Sequence, residues 1–293
     1  MKELELIEAV KEILKEDVEV PAGLHDAAIA KLGDYYLVLT CDTVSELTDF
    51  PEEMKAEEFG HLALAVTLSD LAACGAKPLF FLNSICLKEA DVELFRKILI
   101  GMKKLAEKYD VKVVGGDIDF GKYITIAGFA VGVADRVIVR TNAKPGEKVF
   151  ITDLTGKAEL CLRLLKKGLK RKDLPFDEKL YTPEPRINEG LIVSKFASAI
   201  TDVSDSLAIS LYNMAEKVKI LIDLDSIDLS ELEGYGEDPE ELFLYGGGDY
   251  ELVFTSEDSE IGFEIGRVYE GSGVFAKKGN KVSRVERRGY FHF

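Results

Sequence analysis

The sequence is poor in the residues that build thiolate metal centres and disulfide-linked proteins. It has no tryptophan, four cysteines and three histidines in 293 residues. No two cysteines are spaced as C-x-x-C, so we expect neither a structural zinc site nor a disulfide framework. No apolar run reaches the roughly 18 residues of a membrane span, and the N-terminus carries acids where a signal peptide has an apolar core. We therefore expect a cytoplasmic protein with no membrane partner.

Positive charge is also scarce. Lysine and arginine together number 37 against 53 aspartates and glutamates, which leaves a formal net charge of −16. Such a surface argues against nucleic acid or an anionic membrane as the main partner. A phosphate substrate remains compatible with this charge, because bound metal cations can reverse the local electrostatic field.

The chain does contain a set of aspartates inside short segments of small or apolar residues. An aspartate in such surroundings is costly unless it pairs with a cation or binds a metal. The pattern predicts an acidic site that brings several divalent cations together. Its members are Asp26, Asp42, Asp70, Asp117, Asp202 and Asp205.

Several of these aspartates also have purely structural interpretations. Asp117 follows two glycines, which form either a simple turn after a strand or a loop that lets a phosphate approach the backbone. Ser204 or Asp205 could cap a helix, although capping would not account for Asp202. Asp70 lies inside an apolar helical segment, where an unpaired acid costs several kcal/mol.

Cys41 stands between Thr40 and Asp42 at the end of a predicted strand. It could be a nucleophile, but no histidine lies nearby in sequence. A small buried thiol is the expected state.

Alternating helical and strand patterns predict two mixed α/β halves of similar size. We place the boundary at residue 137, which gives an N-terminal domain over 1–137 and a C-terminal domain over 138–293. Neither a P-loop nor the protein-kinase motif set is present, since Asp119-Phe120-Gly121 stands without its companions. Any polyphosphate must therefore be held by metal ions and backbone donors.

The order of the segments resembles that of the thiamine-monophosphate kinases, which belong to the aminoimidazole ribonucleotide synthetase-like ATP-binding superfamily. The resemblance runs from about Gly23 to the C-terminus. It implies a two-domain α/β fold, with an N-terminal mixed sheet that dimerises and a C-terminal α/β domain. The most specific pieces are Leu68–Pro78, Val114–Asp117, Ala143–Gly146, Asp202–Ala208 and Gly246–Leu252.

The resemblance also implies roles for individual residues. Its cofactors are several Mg²⁺ ions, with ATP as co-substrate, and its partner is a second copy of the chain. Mg²⁺ contacts are implied at Asp26, Thr40, Cys41, Asp42, Asp70, Asp117, Asp202 and Asp205. ATP contacts are implied at Gly116, Asp117, Arg140 and Ser204, and a vitamin-phosphate pocket at Asp49, Gly248 and Tyr290.

The sequence departs from the better-known bacterial pattern of these kinases. His25 stands where a first aspartate is usual, and Cys41 replaces a threonine. Asp49 replaces a histidine and Gly248 a glutamate, both of which would face the substrate, and Ser206 replaces a glycine. The metal and nucleotide positions are mostly kept while the substrate positions differ, a combination that resembles an archaeal branch of the family.

The implied reaction is direct in-line transfer of the ATP γ-phosphoryl group to thiamine monophosphate. A phosphate acceptor is already ionised near pH 7, since its second pKa is about 6, so no general base is required. One alternative is another ATP-dependent enzyme of the superfamily, of the ribonucleotide cyclo-ligase or hydrogenase maturation type. Another is a non-catalytic nucleotide-binding assembly protein.

Overall fold

The computed structural model describes residues 2–291, with side chains from residue 5 onward. The first half of the chain forms a five-stranded mixed sheet with the strand order β1-β2-β5-β3-β4. Its strands are β1 (Ala28–Leu32), β2 (Tyr35–Ser45), β3 (Lys77–Leu87), β4 (Lys112–Phe120) and β5 (Thr125–Ala134). Its helices are α1 (Lys2–Ile13), α2 (Ala56–Ala73) and α3 (Val92–Lys108).

The second half forms a seven-stranded sheet with the order β12-β11-β8-β10-β6-β9-β7. Its strands are β6 (Lys148–Ile151), β7 (Ala199–Val203), β8 (Lys219–Asp223), β9 (Glu251–Ser256), β10 (Phe263–Tyr269), β11 (Gly273–Lys278) and β12 (Lys281–Arg284). Its helices are α4 (Lys157–Lys166), α5 (Asp177–Tyr181), α6 (Ile187–Val193), α7 (Leu207–Met214) and α8 (Pro239–Tyr245). The mixed α/β class is confirmed, while the domain boundary at residue 137 stays a prediction.

Helix α2 is the centre of the molecule. It is apolar on all sides, as expected of a helix surrounded by protein, and it packs against the first sheet, α3, α6 and β7. Two glycines permit the close approach of α2 and α3, because a Cβ on Gly60 would lie 1.9 Å from the carbonyl oxygen of Ile98, and one on Gly101 would lie 1.7 Å from that of Glu57. Asp70, on this helix, is thereby held between the two sheets.

The first sheet is covered on one face only. Alternate residues of β3 and β5, such as Phe81 and Ile126, are buried against α2. The residues between them, such as Leu82 and Phe129, lie on the outer face and are exposed. This period-two pattern leaves a large apolar surface on the outer face that no part of residues 2–291 covers.

Several element predictions differ from the observed fold. The residue pattern over 187–199 predicts one helix and places Asp202 between it and the next helix. In the structure this helix ends at Val193, and Asp202 lies within β7. Asp117 lies inside β4, which continues to Phe120, rather than after a strand. The sequence pattern did not predict strands β1, β7, β11 and β12. Strand β12 is wholly exposed and therefore shows no alternation of buried and exposed residues.

Among residues 2–291, no helix is both long enough and apolar enough to cross a membrane. The cytoplasmic location inferred from the sequence stays a prediction.

Candidate active site

Two of the predicted aspartates meet where β2 faces α2. Asp42 lies on the inner face of β2, and its carboxylate interacts with that of Asp70 on α2. The hydroxyl of Thr40, two residues back along β2, donates a hydrogen bond to Asp70. The Oδ2 atom of Asp42 is buried and has no hydrogen-bond partner among the described residues. Burial raises the pKa of Asp42, because the charged carboxylate is poorly solvated there.

Asp202 brings the second sheet to the same place. It lies in β7 with 6% of its surface exposed, and Ser69 on α2 donates a hydrogen bond of 2.7 Å from Oγ to its Oδ2. Burial, followed by the charge of Asp26, raises the pKa of Asp202 well above its usual range. Burial and the charges of Asp42 and Asp202 do the same for the pKa of Asp70. These carboxylates therefore repel one another in a poorly solvated space.

Asp26 differs because it has a cation. Arg140 donates from Nη1 to its Oδ1 at 2.7 Å, and Thr201 on β7 donates from Oγ1 to its Oδ2 at 2.7 Å. Burial opposes ionisation, yet the adjacent His25 and Arg140 hold the pKa of Asp26 well below its usual range. We call Asp26, Asp42, Asp70 and Asp202 the acidic cluster.

The segment that follows Asp202 packs against the triple glycine. The amide of Gly248 donates to the carbonyl oxygen of Ser204 at 2.7 Å, and that of Tyr250 donates to Val203 at 3.1 Å. Gly247 lies so close to Asp205 that a Cβ would approach the Asp205 carbonyl oxygen to 2.5 Å. Only glycine fits there, which explains part of the Gly246-Gly247-Gly248 run.

Neither Ser204 nor Asp205 is the cap of helix α7. The side chain of Ser206 accepts a hydrogen bond from the amide of Ile209 and is the N-cap. The structural alternative for Ser204 and Asp205 is therefore wrong, and both line the cavity described next.

A cavity of about 790 Å³ opens between the two halves of the chain. We call it the central cavity. Part of its wall is acidic and consists of Asp42, Asp70, Asp202 and Asp205. It also contacts the three positions predicted to bind the acceptor, namely Asp49, Gly248 and Tyr290. The fold thus joins residues that are up to about 250 positions apart in the chain.

Asp117 and Gly116 lie away from this cavity. Strand pairing aligns Asp42 with Gly128, Asn83 and Gly116, so three strand spacings, about 14 Å, separate β2 from β4. Asp117 is one residue further along, so its side chain belongs to the opposite, outer face of the sheet, and it is exposed. Within one chain it does not join the acidic cluster.

Cys41 was expected to be buried, and this expectation is wrong. It is exposed, because alternation along β2 directs Thr40 and Asp42 inward and places Cys41 on the outer face. It lies directly opposite Phe129 on β5, on the same open apolar surface.

Asp249 has a structural role. Its two carboxylate oxygens accept hydrogen bonds from the amides of Gly156 at 2.7 Å and Ala158 at 3.0 Å, at the start of α4. Burial raises its pKa to about 6. It fixes the end of the glycine segment against α4 and therefore helps to shape the central cavity.

The sequence did not single out several residues of the cavity wall. Tyr250 could have been found from the Gly-Gly-Gly-Asp-Tyr segment, in which it directly follows Asp249. The cations Arg163, Lys166 and Arg288 carried no motif that points to a site. They enter the wall because α8 contacts α4 and also binds Arg288 of the C-terminal segment through Glu241.

Within residues 5–291, no three histidine, cysteine, aspartate or glutamate side chains form a group that would hold a metal ion by themselves. The chemistry of the cluster nevertheless suits divalent cations, because it contains buried carboxylates with raised pKa values and an unpaired oxygen on Asp42. A cation bound there would need further oxygen ligands from water or from a bound phosphate.

The fold is that of a group of ATP-binding enzymes related to AIR synthase. Residues 24–134 match the family described as "AIR synthase related protein, N-terminal domain". The structure of AaThiL complexed with AMPPCP and TMP superposes with a TM-score of 0.90 at 33% identity, covering 100% of this chain and 98% of that one.

Relatives that match over nearly their full length identify the family within this fold class. The thiamine-monophosphate kinase of Archaeoglobus fulgidus is 57% identical, covering 100% of this chain and 98% of its own length. That of Pyrococcus horikoshii is 36% identical, covering 91% of this chain and 89% of its own length. The chain belongs to the thiamine-monophosphate kinase family, and it is an enzyme of that class.

Proposed function

We propose that this chain transfers the γ-phosphoryl group of ATP to the phosphate of thiamine monophosphate, forming thiamine diphosphate and ADP. The observation that carries the proposal is the central cavity, in which the acidic cluster adjoins the predicted acceptor positions Asp49, Gly248 and Tyr290. It is supported by relatives that carry this activity in their names and by a related structure that holds AMPPCP, an ATP analogue, together with TMP.

Magnesium would be held by the acidic cluster together with further oxygens. Buried carboxylates whose pKa values are raised, and a buried Asp42 oxygen without a partner, are sites that lack positive charge. Bound Mg²⁺ would supply that charge and neutralise the phosphate oxygens of both reactants. The proposed contacts are Asp26, Thr40, Cys41, Asp42, Asp70, Asp117, Asp202 and Asp205.

The protein's own contribution is to hold two anions in line. We assign Gly116, Asp117, Arg140 and Ser204 to ATP, and Asp49, Gly248 and Tyr290 to the acceptor. Tyr290 is exposed at the cavity wall, where its ring would stack on the aromatic ring of the vitamin. No general base is needed, because the acceptor phosphate is ionised at neutral pH, with a second pKa of about 6.

A second copy of the chain would complete the site. The outer face of the first sheet exposes apolar side chains that a partner would cover, and Asp117 lies beside this face. We propose that the chain is a homodimer and that Asp117 reaches the acidic cluster of its partner. The exposed apolar side chains of this face are Leu39, Phe80, Leu82 and Phe129.

The direct test is an assay with ATP, Mg²⁺ and thiamine monophosphate. ADP and thiamine diphosphate should appear together in equal amounts, and chelation of Mg²⁺ should stop both. In the same assay, Tyr290→Ala should raise the KM for thiamine monophosphate more than that for ATP. ATP turnover that ignores the thiamine compound would refute the proposed reaction.

A further inference from the structure

Tyr250 has a backbone conformation that tyrosine rarely adopts. Among the described residues, only Glu53, Asp110 and Tyr250 are non-glycine residues with positive φ, and Tyr250, at +54°, is the only aromatic one. A bulky side chain in this region costs roughly 1–2 kcal/mol, so the surrounding structure must enforce it.

The neighbours of Tyr250 enforce this conformation from both sides. The amide of Tyr250 donates to the carbonyl oxygen of Val203 at 3.1 Å. The preceding side chain, Asp249, is anchored on the first turn of α4 by two hydrogen bonds. The following side chain, Glu251, is fully buried and binds Arg186 and Lys179. Between these anchors, the positive φ turns the Tyr250 side chain toward the central cavity.

Tyr250 lines the same cavity as Asp49 and the acidic-cluster residues Asp42, Asp70 and Asp202. It is half-buried and packs against the core of the first half of the chain. Burial raises the pKa of its hydroxyl, and the charge of Asp49 raises it further, followed by those of Asp42 and Asp202. Tyr250 and Asp49 line one cavity, and the backbone hydrogen bond from Tyr250 to Val203 places Tyr250 next to Asp202 of the acidic cluster.

The hydroxyl of Tyr250 has no hydrogen-bond partner among the described residues. Other tyrosine hydroxyls of the interior are bonded within the protein. Tyr181 donates to the carbonyl oxygen of Glu52 at 2.5 Å, and Tyr212 donates to that of Val285 at 2.6 Å. A phenol inside a cavity usually finds a partner, so a donor left open there is available to a ligand.

We propose that the Tyr250 hydroxyl donates a hydrogen bond to the phosphate of the acceptor and so positions that phosphate beside the acidic cluster. The inference rests on the proposed function and adds a residue to it. A protonated phenol suits this place, because the carboxylates around it can accept but cannot donate to an anion. Its backbone strain is maintained because this conformation places the donor between acceptor and metal positions.

Tyr250→Phe tests the inference, since it removes the hydroxyl and keeps the ring. A hydrogen bond to a charged group predicts a fall in kcat/KM for thiamine monophosphate of roughly 10- to 100-fold. The KM for thiamine monophosphate should rise, while the dissociation constant for AMPPCP, measured by calorimetry with Mg²⁺, should stay within about twofold of wild type.

Tyr212→Phe is the matched control, because Tyr212 lies outside the cavity and its hydroxyl bonds only within the protein. It should lower the thermal midpoint and leave both kinetic constants unchanged. Wild-type kinetics in Tyr250→Phe, or an equal loss of AMPPCP affinity, would overturn the role of the hydroxyl. If wild-type protein itself fails to phosphorylate thiamine monophosphate, the proposed function fails and this inference fails with it.

Discussion

Strands β4 and β7 have similar positions in their sheets and opposite environments. Each is the last strand of its sheet, each is largely apolar, and each carries a predicted metal-binding aspartate, Asp117 in β4 and Asp202 in β7. Every residue of β7 is buried, whereas every residue of β4 is exposed. The difference arises because α2 and α7 pack on β7, while no helix or strand of the described residues covers the outer side of β4.

An uncovered apolar edge strand invites pairing with another chain, and proteins normally protect such edges. The contrast supports the proposal that a second copy of the chain covers β4. On that proposal the acidic cluster is one half of a site, and Asp117 would supply the other half to its partner.

The largest effect is expected from removing the buried charge on β7. Asp202→Asn should lower turnover by roughly 10³-fold, because a carboxylate proposed to bind the metal is lost. In Mg²⁺-free buffer the same change should raise the thermal midpoint by roughly 2–4 °C, since it removes a charge that burial destabilises. A variant with normal turnover would exclude Asp202 from the site.

The proposal that Asp117 on β4 serves the site of a partner chain is tested by mixing two inactive variants. Asp117→Asn and Asp202→Asn should each be inactive alone. If Asp117 serves the partner's site, a mixed dimer contains one intact site, and random re-pairing of equal amounts restores about a quarter of wild-type activity. No recovery after verified subunit exchange would show that Asp117 acts within its own chain.

The outer face of the first sheet is tested by Phe129→Glu, which places a charge in the middle of its apolar surface. We expect monomers by sedimentation, and activity close to background, because Asp117 no longer reaches a partner. Val282→Glu on the exposed strand β12 is the control and should remain dimeric and active. A dimeric, active Phe129→Glu protein would contradict the proposed interface.

A smaller effect, on stability rather than turnover, is expected from replacing Asp249, which lies beside the buried edge of the second sheet. Its pKa is about 6 in the folded protein, above the 3.8 of an unperturbed aspartate, so the folded state binds the proton more tightly. As pH falls from 7 to 4, the wild-type free energy of unfolding should therefore rise relative to Asp249→Asn by up to about 3 kcal/mol. Denaturant titrations at several pH values measure this difference, and parallel profiles would contradict it.

Much of the acidic site could be predicted from short segments of sequence. Asp42, Asp70 and Asp202 stood out because they are flanked by residues that favour burial, and the structure brings all three together. Ser69, which donates to Asp202, and Thr201, which donates to Asp26, could not be found in this way, because a hydroxyl in an apolar segment has many structural uses.

The errors also have physical reasons. Thr40-Cys41-Asp42-Thr43 shows no hydrophobic alternation, so the sequence did not reveal which face of β2 carries Cys41. A short strand buried on both sides, such as β7, resembles the continuation of a helix, and the helix before it was therefore predicted too long. The strained φ of Tyr250 depends on hydrogen bonds to β7 and α4, which are remote in sequence.

The sequence alone determined the chemical type of the site and its family, because buried aspartates and segment order are local properties of the chain. Only the tertiary structure decided which aspartates share one cavity and which face of the first sheet is open. These depend on the packing of α2 between two sheets and on strand register, in which a shift of one residue transfers a side chain to the opposite face.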